Sequence, residues 1–188
     1  MKWQDLTKED YETSWGVANY LDKIVLDVGA DVGSTALFFI ERGAKNIICV
    51  DTDTSGLTKN AQEIPQISKI VNVNIQDKYT MERVLLETAD IVKMDIEGAE
   101  MWLLEVDPRI LQQHKEYIIE IHGSCIHHTP VCDPQCLYTY IKDMFLKNNF
   151  EILDDFIFYW NPVYCSEYKG ERNSPENKGL HIVYCRRK

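Results

Sequence analysis

The chain has 188 residues and a formal net charge of −10, from 20 basic and 30 acidic side chains. Hydrophobic content of 45% and charged content of 27% suit a globular domain, and the length suffices for a core without disulfide staples. The acidic excess repels phosphate backbones and argues against an extended nucleic-acid surface, and no apolar run nears the ~20 residues that span a bilayer.

Met1-Lys2-Trp3-Gln4-Asp5 lacks the apolar core of a signal peptide, so a cytoplasmic location with reduced cysteines is expected. Thr7-Lys8-Glu9-Asp10 reads as a capping box opening a helix, continued by Tyr11, Trp15, Ala18 and Leu21 at mostly helical spacing. That helix is expected to cover a sheet edge or the mouth of a ligand site. Residues 1–21 thus form an N-terminal helical segment and residues 22–188 an α/β core, together one domain.

The core opens on a strand, a glycine turn, a helix and a second strand. Ile24 to Val28 is apolar apart from Asp27, Gly29 and Gly33 bracket a tight turn, Ser34 to Arg42 is helical, and Ile47 to Val50 ends in Asp51. Gly29 and Asp51 lie 22 positions apart, close to the spacing of about 20 in nucleotide-binding βαβ units. There the helix start offers free N–H groups and the acid takes both hydroxyls of a ribose.

Further along, Ser55 to Ile64 predicts a short helix ended by Pro65, Lys69 to Ile75 a third strand, and Thr80 to Thr88 a helix. Asp90 to Ile96 predicts the fourth strand, Ala99 to Glu105 and Arg109 to His114 short helices, and Tyr117 to Ile121 the fifth strand, ending in Glu120 and His122. Gly123 to Pro134 reads as a loop and Gln135 to Asn148 as a helix with an apolar stripe. Phe150 to Trp160 gives one or two strands, Asn161 to Lys178 a long loop, and Gly179 to Cys185 the last strand. Alternation of strands and helices predicts a Rossmann-like, doubly wound, mainly parallel seven-stranded sheet with an antiparallel C-terminal strand. Asp27, Asp51, Asp77, Asp95 and Glu120 then converge on the C-terminal rim, where such sheets bind ligands.

Asp27 to Ser34 reads Asp-Val-Gly-Ala-Asp-Val-Gly-Ser, Lys93 to Glu100 reads Lys-Met-Asp-Ile-Glu-Gly-Ala-Glu, and Ile119 to His122 reads Ile-Glu-Ile-His. Together these resemble the FkbM-type family of S-adenosylmethionine-dependent methyltransferases of the seven-stranded class. The resemblance runs from about Val25 to His122 and implies S-adenosyl-L-methionine as cofactor. It implies that Asp27, Gly29, Ala30 and Gly33 shape the loop under the methionine moiety. Asp51, with Thr52 and Asp53 alongside, would hold the ribose; Ile75, Gln76 and Asp77 would flank the adenine; Asp95 would sit near the sulfonium. Asp31 stands where the family has Asn, and the stretch between Asp77 and Asp90 is short for the family.

The resemblance implies O-methyl transfer to a hydroxyl of a small molecule, sugar or lipid. Asp95, Glu97, Glu120 and His122 are the catalytic candidates, because removing a hydroxyl proton needs a base and an imidazole ordinarily titrates near neutrality. Glu100 is expected in the first turn of the following helix, where the helix dipole favours an acid; Lys93 is expected to pair with a carboxylate. Carboxylates with His122 suit a hard divalent ion, but no ligand spacing identifies one and no metal is predicted. Cys125, His127, His128, Cys132 and Cys136 do not match a zinc-finger spacing and read as a substrate-facing loop. Asn161-Pro-Val-Tyr164 resembles the Asn-Pro-Pro-Tyr of amino-group methyltransferases but lies far from the fourth strand. Two other readings share the fold: a nicotinamide-dependent oxidoreductase, for which Asp31 stands in the place of a needed glycine, and a non-catalytic cofactor- or partner-binding module.

Overall fold

A computed structural model describes residues 2, 6–7, 11–122, 134–158 and 180–188. Its elements are α1 (Tyr11–Ser14), β1 (Ile24–Val28), α2 (Ser34–Glu41), β2 (Asn46–Asp51), α3 (Ser55–Ala61), β3 (Ile67–Asn72), α4 (Lys78–Leu85), β4 (Ile91–Met94), a 3-10 helix (Ala99–Glu105), α5 (Pro108–Leu111), β5 (Glu116–Ile121), α6 (Pro134–Lys147), β6 (Phe150–Phe158) and β7 (Leu180–Arg187). The seven strands form one sheet in the order β3-β2-β1-β4-β5-β7-β6. β1 to β5 pair parallel, and β7 runs antiparallel to both β5 and β6. This is the mixed seven-stranded sheet that the alternation predicts.

Side chains of a strand alternate between faces, and here the two faces carry separate cores. Leu26, Val28, Val50, Val92, Met94, Tyr117 and Ile119 pack under α4, the 3-10 helix and α6, through Met81, Leu85, Leu103, Ile141 and Phe145. Val25, Ile47, Cys49, Ile91 and Ile118 pack on the opposite face against Tyr11, Trp15, Tyr20, Phe38 and Phe39. Asp27 and Lys93 are register partners across β1 and β4. By parity with Val25 and Ile91, they belong to this second face. Cys49 and Cys185 are buried and free, as their apolar surroundings predict.

Two elements depart from expectation, and a third takes one of its two expected forms. Among the described residues the N-terminal helix is the single turn Tyr11–Ser14. Gly16, a poor helix former, lies so close to the Glu12 carbonyl that a Cβ there would sit 2.3 Å from the oxygen. The chain then turns, burying Tyr20 and leaving Leu21 60% exposed, and the segment covers a sheet face rather than an edge. β3 ends at Asn72, three residues early, because its partner β2 ends at Asp51, the register partner of Asn72. Phe150–Phe158 is one strand, with a register irregularity between Ile152 and Asp154 beside the Asp154-Asp155 pair. The His- and Cys-containing loop from Gly123 onward, Cys165, and the loop holding Asn161-Pro-Val-Tyr164 lie outside the described residues, as does the Lys8-Glu9-Asp10 part of the capping box. No described helix is long and apolar enough to cross a membrane.

Candidate active site

In the order 3-2-1-4-5, the chain winds outward in both directions from the junction of β1 and β4. Ligands in such sheets bind in the crevice beyond the strand ends at that switch point. A cavity of about 260 Å³ lies there, lined by Val28, Gly29, Val50, Asp51, Thr52, Val73, Asn74, Ile75, Asp95, Ile96, Glu97 and Ala99. Gly29 marks its floor. It has φ of +81°, and a Cβ on it would fall 1.7 Å from the Asp95 carbonyl oxygen. Glycine is therefore required where β1 and β4 leave the sheet side by side.

Asp51 closes one end of the cavity. As the last residue of β2 it clears the sheet, and its carboxylate accepts from the Asp31 N–H (2.8 Å) on Oδ2 and from the Asp53 N–H (3.1 Å) on Oδ1. Those bonds aim the group and leave each oxygen with further accepting capacity. Asp31 itself is exposed, with its charge toward water. An apolar wall of Val73 and Ile75 stands alongside, with Asn74 between them. The cavity thus sets an aimed carboxylate beside an apolar wall.

Beneath the floor is a closed ionic group. Lys93 is fully buried; its ammonium donates to the Gly29 carbonyl (2.6 Å), lies 3.2 Å from Asp27 Oδ1 and 3.8 Å from Asp95 Oδ2, and sits over the Trp15 ring. Thr35 donates its hydroxyl to Asp27 Oδ2 at 2.5 Å. Burial alone would lower the Lys93 pKa, but the charges of Asp27 and Asp95 outweigh it and raise it, so the side chain stays an ammonium. Burial raises the Asp27 carboxyl against the pull of Lys93 and Thr35.

The opposite end of the cavity carries the acids after β4. Glu97 and Gly98 both have left-handed backbone, with φ of 54° and 104°. A non-glycine residue held there is a strained position of the kind found at functional sites. The turn faces His122, just past β5. His122 Nδ1 donates to Glu100 Oε1 at 3.0 Å, and Nε2 lies 3.5 Å from Glu120 Oε1 and 3.7 Å from both Asp95 Oδ1 and Glu97 Oε2. Burial would lower the His122 pKa, but the Glu100 hydrogen bond and the charges of Glu100, Glu120 and Asp95 raise it to about 9. At neutral pH the ring therefore carries a proton on both nitrogens, and the expectation of a neutral imidazole base is corrected by the carboxylates around it. Glu100 stands in the first turn of the 3-10 helix, as expected; fully buried, it accepts from the Ile96 N–H at 3.0 Å as well as from His122.

Of the residues predicted for the cofactor, Gly29, Asp51, Thr52, Ile75 and Asp95 line the cavity. Asp27 does not: parity turns it under the floor to Lys93. Ala30 and Gly33 lie in the turn without lining the cavity, Gly33 at φ of +92°. Gln76 and Asp77 also stand off it; Asp77 is the N-cap of α4, accepting from the Thr80 N–H at 2.8 Å. Glu97 lines the cavity, whereas His122 and Glu120 meet it through Asp95 and Glu97. Sequence reasoning missed Val28, Val50, Val73, Asn74, Ile96 and Ala99; the end of β2 could have located Val50, Val73 and Asn74, since β3 can pair no further than its neighbour extends.

The fold is one shared with methyltransferases of known structure. Among solved structures, the tRNA methyltransferase TrmK of Bacillus subtilis superposes with a TM-score of 0.60, 8% identity, and coverage of 97% of this chain and 67% of that one. A ribosomal protein L11 methylase of Lactobacillus delbrueckii subsp. bulgaricus gives a TM-score of 0.56, 14% identity, and coverage of 94% and 76%. No family model matches the sequence. The chain belongs to the family of the uncharacterized protein 65 of Sulfolobus islandicus filamentous virus (isolate Iceland/Hveragerdi), being 32% identical over 139 residues, 71% of this chain and 82% of that protein. It is also 30% identical over 151 residues to protein arginine N-methyltransferase 1 of Dictyostelium discoideum, covering 76% of this chain but 38% of that protein.

Proposed function

We propose that the protein is an O-methyltransferase of the FkbM type, which moves a methyl group from S-adenosyl-L-methionine to a hydroxyl of a small molecule, sugar or lipid. The observation that carries this reading is one cavity with an aimed carboxylate, Asp51, at its nucleotide end and the Asp95–Glu97 turn at its other end. The bound cofactor supplies an electrophilic methyl on a sulfonium, whose C–S bond breaks with its electron pair on sulfur as the new C–O bond forms. Asp51 accepts both ribose hydroxyls; Thr52 flanks it; Val73, Asn74 and Ile75 take the adenine side, with Gln76 and Asp77 behind them. Gly29, Ala30 and Gly33 shape the turn under the methionine end, and Asp27 acts on that turn through Lys93. Asp95 lies beside the transferring methyl, favouring positive charge there.

The acceptor lies on the Glu97 side. Its hydroxyl proton passes to a carboxylate of the Asp95, Glu97, Glu120 set, while protonated His122 orients those acids. The net charge of −10 supports an acceptor without a phosphate backbone. In this reading residues 22–188 form the catalytic core of a single cytoplasmic domain, and Tyr11, Trp15 and Tyr20 of the preceding segment pack on its α2 face. Incubation with methyl-labelled cofactor and panels of sugars, lipids, phenols and total RNA tests the acceptor class. Label in a hydroxyl compound is the expected result; label confined to RNA or protein would overturn it.

A further inference from the structure

We infer that Asp95, Glu97 and His122 form a binding site for a divalent first-row cation of the manganese or zinc type, at the acceptor side of the cavity. One ligand atom from each of these residues can be chosen so that all lie within 4.8 Å of one another. Two ligands about 2.1 Å from one ion stand roughly 3–3.5 Å apart at octahedral or tetrahedral angles. The observed 3.7 Å from His122 Nε2 to Asp95 Oδ1 and to Glu97 Oε2 is too long for hydrogen bonds and needs only a slight contraction around an ion.

The support behind the histidine points the same way. Coordination through Nε2 displaces the proton that this atom carries in the ion-free protein and leaves the hydrogen on Nδ1, where the Glu100 carboxylate accepts it. A carboxylate behind a metal-ligating histidine is the usual means of fixing ring orientation and tautomer. Glu100 is fully buried, its Oε1 shared between the His122 ring and the Ile96 N–H and its Oε2 without a hydrogen-bond partner among the described residues. Glu120 adds a further carboxylate 3.5 Å from Nε2. Four carboxylates thus crowd one ring, and the nearby Lys93 is committed to Asp27 and the Gly29 carbonyl. A dication would offset this excess. Two carboxylates with one imidazole favour manganese or zinc over calcium, which takes oxygen ligands. The strained Glu97 backbone places one ligand. The use of the site rests on the proposed function: an ion there would take the acceptor oxygen and ease loss of its proton. Binding of the ion does not depend on that reading.

The test is titration of Mn2+ into the chelator-stripped full chain without cofactor, read by the electron-spin-resonance signal of free Mn2+ and by calorimetry. One Mn2+ per chain is expected, bound at least tenfold more tightly than Ca2+. His122→Gln and Glu97→Gln should each weaken it tenfold or more, and Glu100→Gln by about 10- to 100-fold. The Glu97 side chain is 84% exposed, so Glu97→Gln keeps the fold even where a His122 variant does not. Glu105→Gln, an exposed acid outside the cluster, should change nothing. Absence of Mn2+ binding, equal affinity for Ca2+, or unchanged binding in Glu97→Gln would overturn the inference. S-adenosylmethionine is titrated into the same metal-free protein: cofactor binding without Mn2+ binding removes this inference alone, and the converse removes the proposed function alone.

Discussion

Two groups of charged side chains meet at the end of β4, and they are built in opposite ways. Below the cavity floor, Lys93 and Asp27 are both fully buried and pair with each other, with the Gly29 carbonyl and Thr35 as further partners. Above it, Asp95, Glu97, Glu100 and Glu120 surround one imidazole, and Glu97 reaches solvent. The first group supplies its own cation and ties β1 to β4 under the crevice. The second sets one imidazole against four acids among the described residues and sits on a strained turn. Excess charge kept at a cavity wall favours a ligand; charge neutralised in the interior favours a fixed fold. Asp95 belongs to both, so the lower group sets the position of the upper one.

The largest expected effect breaks the lower group. Lys93→Met leaves Asp27 buried without its cation and should cost about 3–5 kcal/mol in urea unfolding, whereas Lys93→Met with Asp27→Asn should recover part of that loss. Next, Asp51→Ala should weaken S-adenosylmethionine binding by about 1.5–3 kcal/mol, the range for hydrogen bonds to a charged group, or roughly 10- to 150-fold. Gly29→Ala forces a Cβ onto the Asp95 carbonyl at positive φ and should cost about 1–3 kcal/mol in stability, with Asp95 displaced. At the upper group, Glu97→Gln should leave stability within about 0.5 kcal/mol of the parent, as for a surface position. A loss comparable to that of Lys93→Met would erase the distinction between the two groups.

A second histidine sharpens the contrast. His114 is fully buried beside the carbonyls of Leu85 and Ala89, with ring nitrogens 2.8 and 3.1 Å away. Burial lowers its pKa despite those carbonyls, and no carboxylate reverses the effect. Its folded value lies below its unfolded one, so the unfolded chain binds the proton more readily. Its contribution to stability is complete above the unfolded pKa of about 6.5 and is lost as pH falls through the folded value. Thermal melts of the parent should fall from pH 7 to pH 5.5 more steeply than those of a His114→Gln variant.

Much of this arrangement was legible in the chain. The bounds of β1, the glycine turn and α2 follow from apolar runs and glycine positions, and the Lys93–Glu100 motif beside them from its resemblance to a known family. What was not legible is depth. Asp27 and Asp51 look alike in sequence, each an acid in an apolar strand. Asp27 lies one residue inside its strand and registers with Lys93, whereas Asp51 is the last rung and clears the sheet. Register between distant strands decides that, and no local pattern encodes it. The same cause puts Val73 and Asn74, rather than Gln76 and Asp77, on the cavity wall, because β3 stops with β2. The state of His122 was hidden for a related reason: its ordinary pKa is a local property, but Asp95 and Glu100 reach it from the stretch after β4, more than twenty residues away in sequence. Gly16 ends the N-terminal helix where the spacing of Tyr11, Trp15, Ala18 and Leu21 alone predicts continuation.

The most direct test of the account is a calorimetric titration of S-adenosylmethionine into the full chain, with NADH as the parallel ligand. One equivalent of S-adenosylmethionine bound, with no heat from NADH, is the predicted result. NADH binding without S-adenosylmethionine binding, or no binding of either, would contradict it.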